Sequence, residues 1–289
     1  MVLDIIQTIL DGLMVGSLYA IIALGITLVF GLVGILNFAQ GQLVMLGAFI
    51  CFSAVSAGLG YWFGLVAAMV VMGLFGVLLE RTVFRRTLDN PMGGLTVSLG
   101  IIMIVENLTA AAASPDPRFI PTPIEGVLQL GELTLSAQRL FVLVAGIVII
   151  GAFYLFIRRS SLGRAIRAMA QNRQGAALAG IGVTRISASI FAISSALAGG
   201  VGALYAGLYS ISPYMGSIPL MKGFIVATLG GLGSIPGAIV AGCLLGIAES
   251  FGARYLSASF RDGYGFIVLI ATLLILPNGL FGLRGRSRV

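Results

Sequence analysis

The chain has 289 residues, of which 58% are hydrophobic and 9% are charged, and its formal net charge is +7. Soluble domains carry about a quarter charged residues, so this composition excludes a soluble domain and predicts a polytopic protein surrounded by membrane lipid. The chain has no histidine, and its two cysteines lie in apolar segments. These features argue against an enzyme, and we expect no catalytic residue, cofactor or metal site. The basic residues lie between apolar segments, a pattern of membrane topology and not of nucleic-acid binding.

Apolar segments in chain order predict an all-α bundle of eight or nine transmembrane helices. A helix of about 20 residues crosses the hydrocarbon core of a bilayer. The region 219–253 is read as a short and a long segment joined by a turn, and the count is eight if this pair enters and returns. The predicted spans are 5–30, 43–57, 61–79, 95–113, 140–157, 186–210, the two parts of 219–253, and 264–280.

Two breaks interrupt the apolar sequence at membrane depth, where irregular backbone is tolerated only against protein or water. The first, 31–42, carries the amides of Asn37 and Gln40. These amides suit a neutral or zwitterionic solute in transit, although a simple helix–helix turn would have the same sequence. The second break, 230–237, predicts a tight turn or hinge in which Gly233 and Gly237 have positive φ or approach other backbone closely. Its predicted turn residues are Gly230, Gly231, Gly233, Pro236 and Gly237.

The arginines predict the orientation of the chain. Segments 80–94 and 158–185 and the tail 284–288 hold twelve of the 17 basic residues. The positive-inside rule places these segments in the cytoplasm, so that the N-terminus lies outside and the C-terminus inside. The segment 114–138 contains four prolines and is predicted to be a compact extracytoplasmic loop with a small hairpin.

Acidic side chains within apolar segments are candidates for a translocation pathway, because buried charge is costly in a membrane. Asp11 and Glu249 are expected to lie at span ends or to pair with arginine. Glu106 is harder to explain in that way, but no second ionisable group on its face supports a proton relay. Matching pentads at 16–20 and 202–206 indicate a weak internal repeat. The pathway candidates are Tyr19, Asn37, Gln40, Glu106, Tyr205 and Glu249.

The polar segment 160–183 is predicted to form a short helix between two spans. Ser161 can cap its first turn, alanine and arginine favour helix, and Gly180 with Gly182 can end it. A soluble partner could transmit force through this helix. The alternative is a basic loop that only anchors the orientation of the chain.

Several motifs resemble the permease subunits of bacterial branched-chain amino acid ABC transporters, and the resemblance spans nearly the whole chain. The most specific is the glycine pattern of 229–238 followed by 245–249; the others are at 16–20, 37–41 and 163–181. The resemblance implies one transmembrane permease domain, 1–289, in the bacterial inner membrane. It also implies a second related permease, two ATPase subunits that hydrolyse ATP, and an extracytoplasmic solute-binding protein.

In this family the segment 158–185 would be the cytoplasmic coupling loop that docks on an ATPase. The residues that this resemblance assigns to coupling are Gly163, Arg164, Arg167, Ala168, Gln171 and Gly180. The expected substrates are branched-chain or other hydrophobic amino acids. Two alternatives stay open: a urea or short-amide permease of the same family, and a stand-alone secondary transporter or channel, which would transport without an ATPase.

Overall fold

The computed structural model describes residues 2–88, 90–114, 116–121, 124, 126–130 and 133–282. These residues form eleven α-helices, two short 3-10 helices and one antiparallel pair of strands. Seven of the helices are long and apolar enough to cross a membrane, and two shorter apolar helices accompany them. The predicted helical membrane bundle is therefore confirmed.

The helices and strands follow one another with short connections. In chain order they are α1 (Val2–Val33), α2 (Gln40–Ser56), α3 (Tyr61–Thr82), α4 (Pro91–Ala113), β1 (Val127–Leu130), β2 (Leu133–Ser136), α5 (Ala137–Arg159), α6 (Ser161–Gln171), α7 (Arg173–Leu178), α8 (Val183–Ala206), α9 (Ser217–Gly230), α10 (Ile235–Tyr255) and α11 (Arg261–Ile275). The predicted last span, 264–280, was too long at its end. Leu276 precedes Pro277, and a residue before proline is disfavoured in a helix. The arginine tail 284–288 lies outside the described residues.

The bundle has two ends, which we name by their features. The hairpin end holds the start of α1, the strands β1 and β2, and the end of α8, where a Cβ added at Gly207 would lie 2.6 Å from Nε2 of Gln138 on α5. The hairpin predicted within 114–138 is present, with Val127 opposite Ser136. The arginine-rich end holds the end of α1 together with α6, α7 and the start of α8.

Glycines bring the central helices into backbone contact. A Cβ added at Gly16 of α1 would lie 2.6 Å from the carbonyl oxygen of Gly242 on α10. A Cβ at Gly199 of α8 would lie 2.4 Å from the carbonyl oxygen of Ala68 on α3. Small residues permit this approach, which supplies packing energy where lipid removes the hydrophobic drive between helices.

The order of helices repeats with inverted orientation. Each of the units α1–α4 and α8–α11 has a long helix, a break, a short helix, a second long helix, a 3-10 turn and an outer helix. In these units α1 packs on α10 and α9, as α8 packs on α3 and α2. The two pentads do not occupy equivalent positions in this repeat. Gly16 packs on α10, whereas Gly202 packs on α2. The counterpart of α2 in the second unit is α9, and not α10.

Candidate functional site

The short helix α2 begins inside the bundle, halfway along α8. Nε2 of Gln40 donates a hydrogen bond to the carbonyl oxygen of Ser194 at 3.1 Å, and Oγ of Ser194 donates to the carbonyl oxygen of Gly25 at 3.0 Å. Oδ1 of Asn37 accepts a hydrogen bond from the backbone N–H of Ala39 at 3.1 Å. Both predicted pathway amides thus make hydrogen bonds within the chain that fix the break.

The short helix α9 begins beside the start of α2. A Cβ added at Gly41 would lie only 2.1 Å from the carbonyl oxygen of Gly216, so the two helix starts meet at backbone distance. Ile211, five residues earlier, forms a backbone bridge with Arg118 at the hairpin end. The chain therefore runs inward from the hairpin end before α9 starts, and irregular backbone at this depth lies against protein, as the membrane requires.

A buried ion cluster joins α1, α9, α10 and α11 near the hairpin end. Nζ of Lys222 lies 2.6 Å from Oε1 of Glu249, and both side chains are fully buried. The same Nζ lies 2.9 Å from Oδ1 of Asp262, whose side chain is 65% exposed. The hydroxyl of Tyr19 donates to Oε2 of Glu249 at 3.0 Å. Gly265 of α11 leaves room for the cluster, because a Cβ there would lie 2.8 Å from Oε1 of Glu249.

This cluster corrects the expectation for Glu249, which is neither at an exposed helix end nor paired with arginine. Its partner, Lys222, was not among the predicted site residues. A signal was present in the sequence: Lys222 is the only lysine of the chain and lies in an apolar segment, where a charge needs a partner. The expectation for Asp11 is met, since Nη1 of Arg139 lies 2.9 Å from its Oδ1.

A cavity of about 180 Å³ lies beside the ion cluster at the hairpin end. The aromatic rings of Tyr205 and Tyr209 line it, with their centroids 4.4 Å apart and their planes tilted by 33°. The cavity is lined by Val15, Leu18, Tyr19, Ile22, Tyr205, Tyr209, Ile218, Pro219, Arg261 and Asp262. The structure thus brings two predicted residues, Tyr19 and Tyr205, to one cavity next to Glu249, and adds Tyr209, Arg261 and Asp262, which were not predicted.

Glu106, the remaining pathway candidate, lies apart from this cavity on α4. Its side chain is half-buried, and Oε2 accepts a hydrogen bond from Nε2 of Gln42 at 3.1 Å. The contact ties α4 to the short helix α2. Among the described residues, no three His, Cys, Asp or Glu side chains are grouped closely enough to hold a metal ion.

A second cavity, of about 1100 Å³, opens at the arginine-rich end. Its walls come from the end of α1, from α6, from the turn between α9 and α10, and from residues 277–282. On α1 the smaller cavity reaches Ile22 and the larger one begins at Thr27, about 7.5 Å further along the helix axis. Gly223 of α9 packs tightly on α1 between the two cavities, because a Cβ there would lie 2.3 Å from Cγ2 of Ile22.

The turn between α9 and α10 borders the larger cavity. Gly231 and Gly233 have φ of 95° and 92°, a region that L-residues with side chains rarely adopt. A Cβ at Gly237 would lie 2.1 Å from the carbonyl oxygen of Gly230. The geometry expected for Gly233 and Gly237 is therefore present, and Pro236 follows the capping residue Ser234 in the first turn of α10.

The predicted helix in 160–183 is two helices. Ser160, and not Ser161, caps α6 by accepting a hydrogen bond from the N–H of Gly163 at 2.8 Å. The helix stops at Asn172, whose side chain accepts from the N–H of Gly175 at 2.8 Å and so starts α7. This asparagine cap competes with helix continuation. Gly180, with φ of 83°, ends the segment as predicted.

Both arginines of α6 hold it against the end of α5. Arg167 donates hydrogen bonds to the carbonyl oxygens of Ile157 and Arg158, and Arg164 donates to that of Arg159. These are the last carbonyls of α5, which have no partner within their own helix. A Cβ at Gly163 would lie 2.2 Å from the carbonyl oxygen of Ile157, so α6 touches α5 directly.

Part of α6 and α7 is exposed. Gln171 and Gly180 are exposed, and Ala168, one turn after Arg164, is half-buried. The side chain of Leu178, at the end of α7, is 91% exposed. Nη1 of Arg173 donates to the carbonyl oxygen of Leu88 at 3.4 Å, which ties α7 to the connection between α3 and α4.

A helical bundle with a cavity at each end and a thin packed layer between them defines the class of a polytopic membrane transport protein. A family model described as "Branched-chain amino acid transport system / permease component" matches residues 8–276. The chain belongs to this family.

Several curated relatives resemble the chain over almost its full length. The permease protein LivH of the high-affinity branched-chain amino acid transport system of Escherichia coli (strain K12) is 33% identical, over 96% of this chain and 95% of that protein. The corresponding protein BraD of Pseudomonas aeruginosa is 35% identical over the same shares. The permease protein LivM of Salmonella typhimurium is 28% identical, over 91% of this chain and 67% of LivM.

Proposed function

We propose that the chain is a permease subunit of an ABC importer and moves branched-chain or other hydrophobic amino acids across the bacterial inner membrane. The observation that carries the proposal is the pair of cavities along α1, which lie toward opposite ends of the bundle and are separated by the packing of Gly223 on Ile22. A small shift of α9 against α1 would join them, which is the geometry that alternating access needs. The names of LivH and BraD, permease proteins of branched-chain amino acid transport systems, supply the substrate class.

Energy would enter through α6 and α7. In this proposal the arginine-rich end faces the cytoplasm, and an ATPase subunit docks on the exposed face of the coupling segment 158–185. Residues Ile166, Arg167 and Met169 of α6 line the larger cavity. Because Gly163, Arg164 and Arg167 fix α6 to the end of α5, a displacement of α6 would move both α5 and the cavity wall. ATP hydrolysis itself belongs to the partner.

The remaining partners follow from the same assignment. The chain is similar to both LivH and LivM, two permease proteins of like name, which supports pairing of this subunit with a second, related permease. Two ATPase subunits would complete the assembly, and 1–289 would form its single transmembrane permease domain. The hairpin end, with the N-terminus, would face outward and receive the solute from an extracytoplasmic solute-binding protein.

Reconstitution tests the proposal. The chain is co-expressed with its second permease and ATPase subunits, and the purified complex is placed in liposomes with ATP inside and the binding protein outside. We expect uptake of leucine that requires both ATP and the binding protein. Uptake by this subunit without an ATPase would favour a stand-alone transporter, and uptake of urea or acetamide in place of leucine would favour the amide branch of the family. Either result overturns the proposal.

A further inference from the structure

We propose that the cavity at the hairpin end is a binding site for a zwitterionic amino acid. The Arg261 guanidinium would bind the α-carboxylate, the Asp262 carboxylate would bind the α-ammonium, and the apolar wall on α1 would hold the side chain. The inference rests on the proposed function and names the place where this subunit contacts its substrate.

The first argument concerns Arg261. It is half-buried and lines the cavity, yet among the described residues no carboxylate lies within ion-pair distance of its guanidinium. Three other arginines do have such a partner: Arg85 with Glu80, Arg139 with Asp11, and Arg254 with Asp4. A half-buried guanidinium without an anion favours a bound carboxylate, which it can hold through two parallel hydrogen bonds.

The second argument concerns which charged side chains near the cavity already have a partner within the chain. Lys222 and Glu249 are fully buried and bind each other, and the hydroxyl of Tyr19 binds Glu249. Asp262 uses Oδ1 for Lys222, but its side chain is 65% exposed, so the second oxygen can accept a hydrogen bond from an ammonium group. The ligand therefore meets one cation and one anion on neighbouring residues of α11.

The charges of the site favour a zwitterionic ligand. Lys222, Glu249, Arg261 and Asp262 together carry two positive and two negative charges, so the site is neutral overall. A ligand with one charge of each sign keeps that balance in a partly buried place where unpaired charge is costly. A simple anion or cation would upset it.

The rest of the cavity fits an apolar side chain of moderate size. Val15, Leu18, Ile22 and Ile218 line it together with the tilted pair of Tyr205 and Tyr209. Its volume of about 180 Å³ and its apolar lining suit the side chain of a branched amino acid. Urea or acetamide would leave most of this apolar surface without contact.

A labelling experiment on the complete transporter tests the site without the binding protein. Cys51 and Cys243 are replaced by alanine, and Tyr209→Cys places a thiol on the cavity wall. We expect leucine to slow the reaction of this cysteine with a charged maleimide. Leucine amide, which lacks the carboxylate, and 4-methylpentanoate, which lacks the ammonium, should protect far less. Equal protection by all three compounds, or protection by urea and not by leucine, would overturn the assignment.

Transport by charge variants is the second arm. Arg261→Gln should lower leucine uptake about tenfold or more, because it removes a charge-assisted hydrogen-bonding partner, whereas Arg261→Lys should retain part of it. Arg254→Gln is the matched control, since Arg254 is an arginine at the same end that does not line the cavity. Co-purification of the partner subunits verifies assembly. Uptake by Arg261→Gln equal to that by Arg254→Gln would overturn the assignment, as would a loss explained entirely by weaker association with the binding protein.

The two arms separate this inference from the proposed function. If the wild-type complex imports leucine but leucine gives no protection and Arg261→Gln is without effect, the cavity is not the binding site and the proposed function stands. If the wild-type complex imports no leucine, the proposed function fails and the site assignment fails with it.

Discussion

Nζ of Lys222 lies 2.6 Å from Oε1 of Glu249, and neither side chain is exposed. The pair connects α9 with α10, and the Tyr19 hydroxyl extends it to α1. Two charges taken out of water each cost several kcal/mol, and only their mutual attraction and hydrogen bonds offset that cost. The cluster thus fixes α1, α9 and α10 against one another, and α1 and α9 line the smaller cavity.

The first prediction is that Lys222→Met destabilises the protein strongly. Removing one partner leaves Glu249 as an uncompensated buried charge, which typically costs about 3–5 kcal/mol. The double variant Lys222→Met/Glu249→Gln should recover much of this loss. Thermal unfolding of the purified variants in nanodiscs provides the measurement.

The matched control for this prediction is the pair of Arg139 and Asp11, whose side chains are 54% and 28% exposed. Exposed pairs contribute about 0–1 kcal/mol, so Arg139→Gln should lower the unfolding temperature only slightly. If Lys222→Met were as stable as Arg139→Gln, the buried pair would have no special energetic role.

A second prediction concerns the turn between α9 and α10. Gly237→Val would force a side chain against the carbonyl oxygen of Gly230, 2.1 Å from the Cβ position, and Gly233→Val would require φ of 92°. We expect both variants to reach lower membrane levels and to transport less. Gly151→Val on α5 is the control, since a Cβ there meets nothing within 4 Å. Normal levels and normal uptake in both turn variants would show that the turn is an ordinary loop.

The sequence predicted those features that depend on local composition. Continuous apolar stretches predicted the long helices, and the glycines of 230–237 predicted a tight turn, because few other residues tolerate positive φ there. The amides at Asn37 and Gln40 predicted the break before α2. In each of these regions, the residues that determine the backbone structure lie within a few positions of the helix, turn or break that they produce.

The contacts between helices could not be predicted in this way. In lipid, apolar side chains face both the membrane and the neighbouring helices, so periodicity does not indicate which helices touch. Lys222 and Glu249 meet only because the turn sets α9 against α10, and Asp262 joins them from the start of α11. The depth at which α2 and α9 begin depends on the contact of Gly41 with Gly216, which no local pattern predicts.

Small differences in capping explain the errors in the segment 160–183. Ser160 and Ser161 are both able to cap a helix, and the choice depends on the backbone conformation after α5. The segment was predicted to be one helix, but the side chain of Asn172 caps α7 and divides it. Arg164 and Arg167, which the family resemblance assigns to coupling, also bind the carbonyls that end α5, a contact that the sequence did not indicate.

The third prediction concerns orientation. Leu178 is 91% exposed at the arginine-rich end, and Phe119 is 71% exposed at the hairpin end. A single cysteine at position 178 should react with a membrane-impermeant maleimide only after the cells are opened, and one at position 119 should react in intact cells. Labelling of position 178 from outside intact cells would reverse the orientation and remove the coupling role of α6 and α7.

The last prediction concerns the docking surface of the coupling segment. Ala168 lies one helical turn after Arg164, on the same face of α6, and is half-buried. Ala168→Trp would overfill a close contact with an ATPase, and overpacking typically costs about 1–3 kcal/mol. Arg173→Ala should lower ATP hydrolysis only slightly, because the loss of a charge at the rim of an interface mainly slows association. We therefore expect Ala168→Trp to remain in the membrane but to lose substrate-stimulated ATP hydrolysis, measured on purified complexes together with co-purification of the ATPase. A tryptophan variant that retains both would show that the segment only anchors the orientation of the chain.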